Sequence, residues 1–252
     1  MPKFFVNENQ IEENRITITG NDVNHIRNVL RMPVGKEVII CNLDTRLNYI
    51  TKIEEITKEK IVCHIIDVLG QNAEPEVEID IYQGIPKAEK MELIIQKSTE
   101  LGAKKIIPVE MIRSIVKLDE KGKIKKQERW QKIAEVAAKQ SGRDEIPEVE
   151  PILKIKEMKK RIKEYDAFIV AYENERNHTL KEEIKRISSK KTLKNPKIGV
   201  IIGPEGGISE EEIEILKEEG ASIITLGKRI LRTETVALVL TSILMYELDE
   251  LQ

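Results

Sequence analysis

The sequence predicts an α/β protein, a mainly parallel sheet flanked by helices, preceded by a small β-rich module. Three features predict it. Through the first seventy or so residues apolar and polar positions alternate in short runs. The stretch Gly70–Glu76 is then polar and carries a proline, which marks a boundary between domains. Beyond it, short apolar runs alternate with segments of helical period, as in strands buried on both faces. Domains are expected at 1–72 and 73–252.

In the first module strands are expected at Lys3–Val6, Arg15–Thr19, Lys36–Asn42, Leu47–Ile56 and Lys60–Leu69. One helix, Asp22–Arg31, interrupts them, with Val23, Ile26, Val29 and Leu30 at helical spacing. In the second domain the expected strands are Val77–Ile85, Lys105–Val109, Asp166–Ala171, Ile198–Ile202 and Ile223–Leu226. Helices are expected at Ala88–Leu101, Lys125–Gln140, Glu182–Ile187, Glu210–Glu219 and Glu234–Leu248. Ligands of such sheets gather at the carboxyl ends of the strands, so chemistry is expected in the loops after Ala171, Ile202 and Leu226.

Composition narrows the function classes. Apolar residues at 40% and charged residues at 34% describe a folded, water-soluble chain rather than a disordered one. The longest apolar run, Val236–Tyr246, is about half of the roughly 20 residues that a membrane span needs, so a buried helix is expected and no membrane partner. The N-terminus lacks a signal-peptide pattern, and a cytoplasmic protein is expected. Cys41 and Cys63 have no ligand spacing with His25, His64 or His178; they read as strand hydrophobes, and no metal is expected.

Charge is distributed unevenly. Lys104–Arg143 holds twelve Lys or Arg against five Asp or Glu, whereas Ser209–Gly220 holds six Glu and one Lys. The basic segment suits phosphate contact, and its one aromatic, Trp130, adds little base stacking. A solvated helix face would have the same composition.

An apolar strand at Ile198–Ile202 runs through Gly203, Pro204, Glu205, Gly206 and Gly207 into a helix opened by a capping box of Ser209 and Glu212. Three glycines in five positions let backbone amides approach a ligand. The spacing matches neither the dinucleotide fingerprint nor the P-loop, and Glu205, Glu210, Glu211 and Glu212 crowd the helix start, where a phosphate would be repelled. A ligand with an adenosine, a cationic sulfonium and no phosphate suits it better; a ligand-free turn suits it too. The segment Leu226–Val236 is another strand end with a glycine, but rich in cations. Arg229 and Arg232 precede a helix N-terminus, which disfavours them unless an anion compensates. That anion is Glu234 in a structural pair, or a substrate phosphate or developing negative base in a functional one.

Together these segments resemble the ribosomal RNA small subunit methyltransferase E family of the SPOUT superfamily. The resemblance covers nearly the whole chain and is carried by Phe4–Val6, His25–Arg31, Lys97–Gly102, Arg113–Lys117, Arg129–Trp130, Gln140–Arg143, Ile202–Gly207 and Leu226–Thr235. Lys3 and Val236 depart from the family pattern, where Arg and Ala are expected. The resemblance implies a PUA-like RNA-binding β-barrel followed by a methyltransferase domain with a trefoil knot in about 166–252, a rare exception to ordinary connection rules. It implies methylation of N3 of a uridine in 16S ribosomal RNA, within the small subunit, by a homodimer using S-adenosylmethionine. The donor would lie against Ala171, the loop Ile202, Gly203, Pro204, Glu205, Gly206 and Gly207, and the positions Leu226, Gly227, Ile230, Leu231 and Thr235. RNA contacts would fall on Lys3, Arg27, Arg31, Arg113, Lys117, Arg129 and Arg143.

Uracil N3 carries a proton and is a poor nucleophile until that proton leaves. Arg232 is the candidate for stabilising charge on the flanking carbonyls, Glu234 for orienting it or accepting the proton, and Arg229 for holding phosphate. A non-catalytic RNA-binding factor, a nucleotide hydrolase, and a related enzyme acting on transfer RNA or on ribose hydroxyls are the competing readings.

Overall fold

A computed structural model describes residues 1–70, 74–189 and 195–251. The boundary expected between residues 72 and 73 lies outside the described residues. The chain forms two compact units, one made of Met1–Glu74 with Ala138–Ile146, the other of the remainder.

In the first unit the strands are β1 (Lys3–Val6), β2 (Ile11–Glu12), β3 (Arg15–Thr19), β4 (Glu37–Asn42), β5 (Asn48–Ile56) and β6 (Lys60–Gly70). They pair in the order β1-β4-β5-β6-β3-β2; β1 lies parallel to β4 and the other pairs are antiparallel. The alternation read from the sequence sends one side of each long strand inward. Phe4 and Val6, Ile16 and Ile18, Val38 and Ile40, Ile53, and Ile61 with Cys63 meet in a single core.

The helix expected at Asp22–Arg31 is instead a short α1 (Asn21–Asn24) that widens into a π-turn at His25–Val29. The Leu30 amide bonds the His25 carbonyl five residues back, at 2.8 Å, and Arg31 ends the turn at φ 49°. The extra residue per turn rotates Val29 and Leu30 outward, leaving them 62% and 40% exposed, while Val23 and Ile26 stay in the core.

The segment Ala138–Ile146 is held in this unit by buried charge. The Lys3 ammonium donates to Asp144 and to the Gly142 carbonyl, and Asn48 donates to the same Asp144 carboxylate at 2.7 Å. Arg143 is only 4% exposed and its guanidinium grips the Glu74 carboxylate. Lys3 and Arg143 were expected at RNA; their charges are spent inside the unit, so neither reaches a phosphate in this arrangement.

In the second unit the sheet comprises β7 (Glu78–Gly84), β8 (Lys105–Glu110), β9 (Glu148–Val149), β10 (Leu153–Lys154), β11 (Ala167–Ala171), β12 (Lys197–Ile202) and β13 (Ser222–Ile224). All pairs are parallel, in the order β10-β8-β7-β12-β11-β13, with β9 also on β8. The helices are α2 (Lys90–Glu100), α3 (Glu120–Ser141), α4 (Lys159–Ile162), α5 (Leu180–Ser188), α6 (Glu210–Glu218) and α7 (Thr233–Glu247).

Strand β12 displays the two-faced burial. Ile198, Val200 and Ile202 pack with α5 and α7, while Ile201 packs with Ile213 and Leu216 of α6. Helix α3 starts five residues before the expected position because Asp119 receives the Gly122 amide at 2.8 Å and nucleates the first turn. Trp130 of α3 is 2% exposed and packs with Ile85, Met91 and Ile106, so it offers no base-stacking surface. After the edge strand β13 the chain returns to lay α7 against α2, β7 and β12. That return places the residues before α7 beside the ends of β11 and β12. No helix among the described residues is long and apolar enough to cross a membrane.

Candidate active site

Strands β11, β12 and β13 are parallel, so their carboxyl ends open on one side of the sheet. The loops that leave them, Ala171–Arg176, Ile202–Gly207 and Thr225–Arg232, enclose a cleft of about 610 Å³. This is the place the strand-end rule predicts. Of the donor positions expected from the sequence, Ala171, the whole of Ile202–Gly207, Leu226, Gly227, Ile230 and Leu231 line the cleft.

Thr235 does not line it. Helix phase is the reason: Thr233 and Val236, three residues apart on α7, face the cleft, and Thr235 is turned to solvent.

The central loop has its shape because bulk is excluded around it. A Cβ at Gly84 would stand 2.6 Å from Pro204 Cδ and 2.7 Å from its backbone nitrogen, and one at Gly203 would stand 2.9 Å from the Gly207 carbonyl carbon. Gly207 has φ +72°, and a Cβ there would meet the Glu173 carboxylate at 2.2 Å. The expected capping box is present: the Glu212 amide donates to Ser209 Oγ, and Glu212 accepts the Ser209 amide. Glu212 also accepts the Ile112 amide at 2.8 Å. The start of α6 is thus closed to a phosphate by its own carboxylate.

Glu205 is not at that helix start. Its carboxylate accepts the Lys87 amide and the Lys90 ammonium, the latter at 2.8 Å. Burial pushes the Glu205 carboxyl up, but these donors outweigh it and hold its pKa below the ordinary value.

Arg229 and Arg232 line the cleft, as their sequence position suggested, and so do Arg176 and Lys228. Glu234 does not. Its Oε2 is buried without a hydrogen bond, and the ion pair it makes among the described residues is with Lys90, at 3.8 Å, not with either arginine. Lys90 was not singled out from the sequence. It lines the cleft between Glu205 and Glu234, and the hydrogen bond it donates to Glu205 raises its pKa, so it is a fixed cation rather than a base. Glu173 and Tyr172 are further lining residues that sequence reasoning missed. The only signal for them was their place just after a strand end.

The expected RNA residues lie in both units. Arg27 and Arg31 are exposed on the π-turn and beyond it in the first. In the second, Arg113 is exposed and donates to the Gly206 carbonyl at 3.2 Å, Lys117 is exposed, and Arg129 pairs with Glu92 at 2.9 Å. Both cysteine thiols are buried, and desolvation lifts each to about 11, so neither is a nucleophile near neutral pH. Among the described residues no group of three His, Cys, Asp or Glu side chains is arranged to hold a metal.

Comparison with known proteins agrees with this geometry. Residues 73–245 match the model of an RNA methyltransferase domain, and residues 18–66 match that of an RNA methyltransferase PUA domain. The chain is 38% identical to the ribosomal RNA small subunit methyltransferase E of Bacillus subtilis, covering 100% of this chain and 99% of that protein. It is 32% identical to the protein of the same name from Mesomycoplasma hyopneumoniae, over 95% and 97% of the two chains. Among solved structures it resembles the Neisseria gonorrhoeae ribosomal RNA small subunit methyltransferase E bound to S-adenosylmethionine, with a TM-score of 0.84, 29% identity, and coverage of 98% and 97%.

Proposed function

The chain belongs to the ribosomal RNA small subunit methyltransferase E family, and from that premise we propose that it methylates N3 of a uridine in the 16S RNA of the small ribosomal subunit. It is an S-adenosylmethionine-dependent rRNA methyltransferase. The observation that carries the site is the convergence of three strand-end loops on one cleft.

The residues present fit the donor. Gly203, Gly206 and Gly207 line the cleft without side chains, Ile202, Leu226 and Leu231 supply apolar wall for a purine, and the closed start of α6 suits a ligand without phosphate. Bound there, the donor supplies a methyl group made electrophilic by its sulfonium. The protein's share of the chemistry is to place the uracil edge in line with that methyl and to stabilise the charge left when the N3 proton departs.

Arg232, at the mouth of the cleft, stands to face the uracil carbonyl oxygens, and Arg229 a neighbouring phosphate. Glu234 is separated from this role by its pairing with Lys90. Its part in this reading is to hold Lys90 at the cleft wall. Arg27, Arg31 and Lys117 are exposed and available to RNA phosphates, and Arg113 is exposed beside the central loop, where it also donates to the Gly206 carbonyl. The knotted threading of the last third of the chain belongs to the same reading, as does a homodimer, which the exposed Ile243 and Tyr246 of α7 would serve.

The test is to incubate the protein with labelled S-adenosylmethionine and small subunits from a strain lacking the modification, then map the labelled nucleotide by mass spectrometry. Label at a uridine N3 is expected. Label on transfer RNA or on a ribose hydroxyl would replace the substrate, and no transfer at all would overturn the activity.

A further inference from the structure

The cleft is heavily cationic, lined by Lys90, Arg176, Lys228, Arg229 and Arg232, yet the donor it takes carries two positive groups, a sulfonium and an α-ammonium. Two carboxylates line the cleft, Glu173 and Glu205. Glu205 is committed to Lys90 and to the Lys87 amide. Glu173 has no hydrogen-bond or ion-pair partner among the described residues, although its carboxylate rests against Gly207 of the central loop.

The loop that carries Glu173 is fixed without its help. The Tyr172 amide donates to the Ile224 carbonyl at 3.0 Å, and the Glu175 carboxylate accepts the amides of Arg176, Asn177 and His178. Of the two acidic side chains in this turn, one is used to build it and the other is presented to the cleft. Gly207, with φ +72° and no Cβ, is what lets that carboxylate lie so close to the central loop.

Resting on the donor reading above, we infer that Glu173 is the counter-charge for the cationic half of S-adenosylmethionine and holds the methionyl end against the Gly203–Gly207 turn. A carboxylate with no internal partner is the group a cationic ligand can engage without first breaking an existing pair. Amid five cations, one of them already paired with Glu205, it is the lining carboxylate left to oppose the donor's positive groups.

Titration calorimetry on the whole chain tests this with three probes that share the adenosine. S-adenosylmethionine carries sulfonium and ammonium, S-adenosylhomocysteine the ammonium alone, and 5′-methylthioadenosine neither. Glu173→Gln should weaken S-adenosylmethionine roughly tenfold, the scale of one charge-assisted contact, and leave 5′-methylthioadenosine unchanged. S-adenosylhomocysteine weakens equally if the ammonium is the contact and is spared if the sulfonium is. Glu173→Asp should recover part of the loss. Equal weakening of all three probes would mean that Glu173 merely shapes the loop, and no change in any would remove it from the site; either result overturns the inference. If the unaltered protein bound none of the probes, the donor reading itself would fall instead.

Discussion

The Thr233 hydroxyl donates to the Gly203 carbonyl at 2.7 Å and accepts the Gln83 side-chain amide at 2.8 Å. One hydroxyl thereby ties the end of β7, the loop after β12 and the first residue of α7. Thr233→Val keeps the shape and removes both bonds, leaving the Gly203 carbonyl with only the Gln83 amide at 3.5 Å and that amide with the Gly84 carbonyl as its one short partner. It should cost about 1–3 kcal/mol in urea denaturation and weaken donor binding, since the loop loses its anchor. An unchanged affinity in titration calorimetry would show that the tie is only structural.

Gly84 belongs to the same cradle from below. Gly84→Ala drives a Cβ into Pro204, whose ring and backbone nitrogen cannot retreat as a flexible side chain would. A loss of about 1–3 kcal/mol is expected together with a fall in donor affinity, both read on the purified variant. Gly227→Ala meets no neighbouring atom and pays only for its φ of +101°, so its stability loss should be nearer 1 kcal/mol.

The basic residues should separate into two classes. Lys117→Ala removes an exposed charge and should weaken RNA binding across sequences, lower the salt slope by about 1, and leave thermal stability unchanged. Arg143→Ala leaves the Glu74 carboxylate with only the Asp144 and Glu145 amides and no counter-charge, and should destabilise the chain by about 3 kcal/mol. Filter binding at several salt concentrations, beside a denaturation curve, distinguishes the two.

Glu205 sets an acid limit. Its folded pKa lies below its ordinary value, so its contribution to stability is complete above the ordinary carboxylate range and is lost as pH falls through the folded value. Glu205→Gln should therefore flatten the acid limb of the stability profile between about pH 5 and pH 3, with the difference from the unaltered chain vanishing at the acid end. An identical acid limb in both proteins would show that Lys90 and Lys87 do not hold this carboxylate in solution.

The donor loops were legible because their signals are local. Two of the three loops, those after Ile202 and Leu226, follow an apolar run that ends on glycine, and the parallel sheet brings these strand ends together. Lys90 was not legible, because the residues it meets at the cleft, Glu205 and Glu234, lie more than a hundred residues away in sequence. Lys3 and Arg143 misled for the converse reason. Each looks like a surface cation, and the partners that bury them, Asp144 and Glu74, are distant in sequence. The π-turn at His25–Val29 adds one residue to a helical repeat, which spacing alone reads as an ordinary amphipathic helix. Glu234 looked like the partner of Arg232 by proximity along the chain, but the phase of α7 turns it to Lys90.

The central claim is that the three strand-end loops form the donor site. Hydrogen–deuterium exchange with and without S-adenosylmethionine measures this most directly. Protection is expected in Ala171–Arg176, Ile202–Gly207 and Thr225–Arg232 together, with the first seventy residues unaffected. Saturating donor binding with protection elsewhere, or in only one of these loops, would contradict the account.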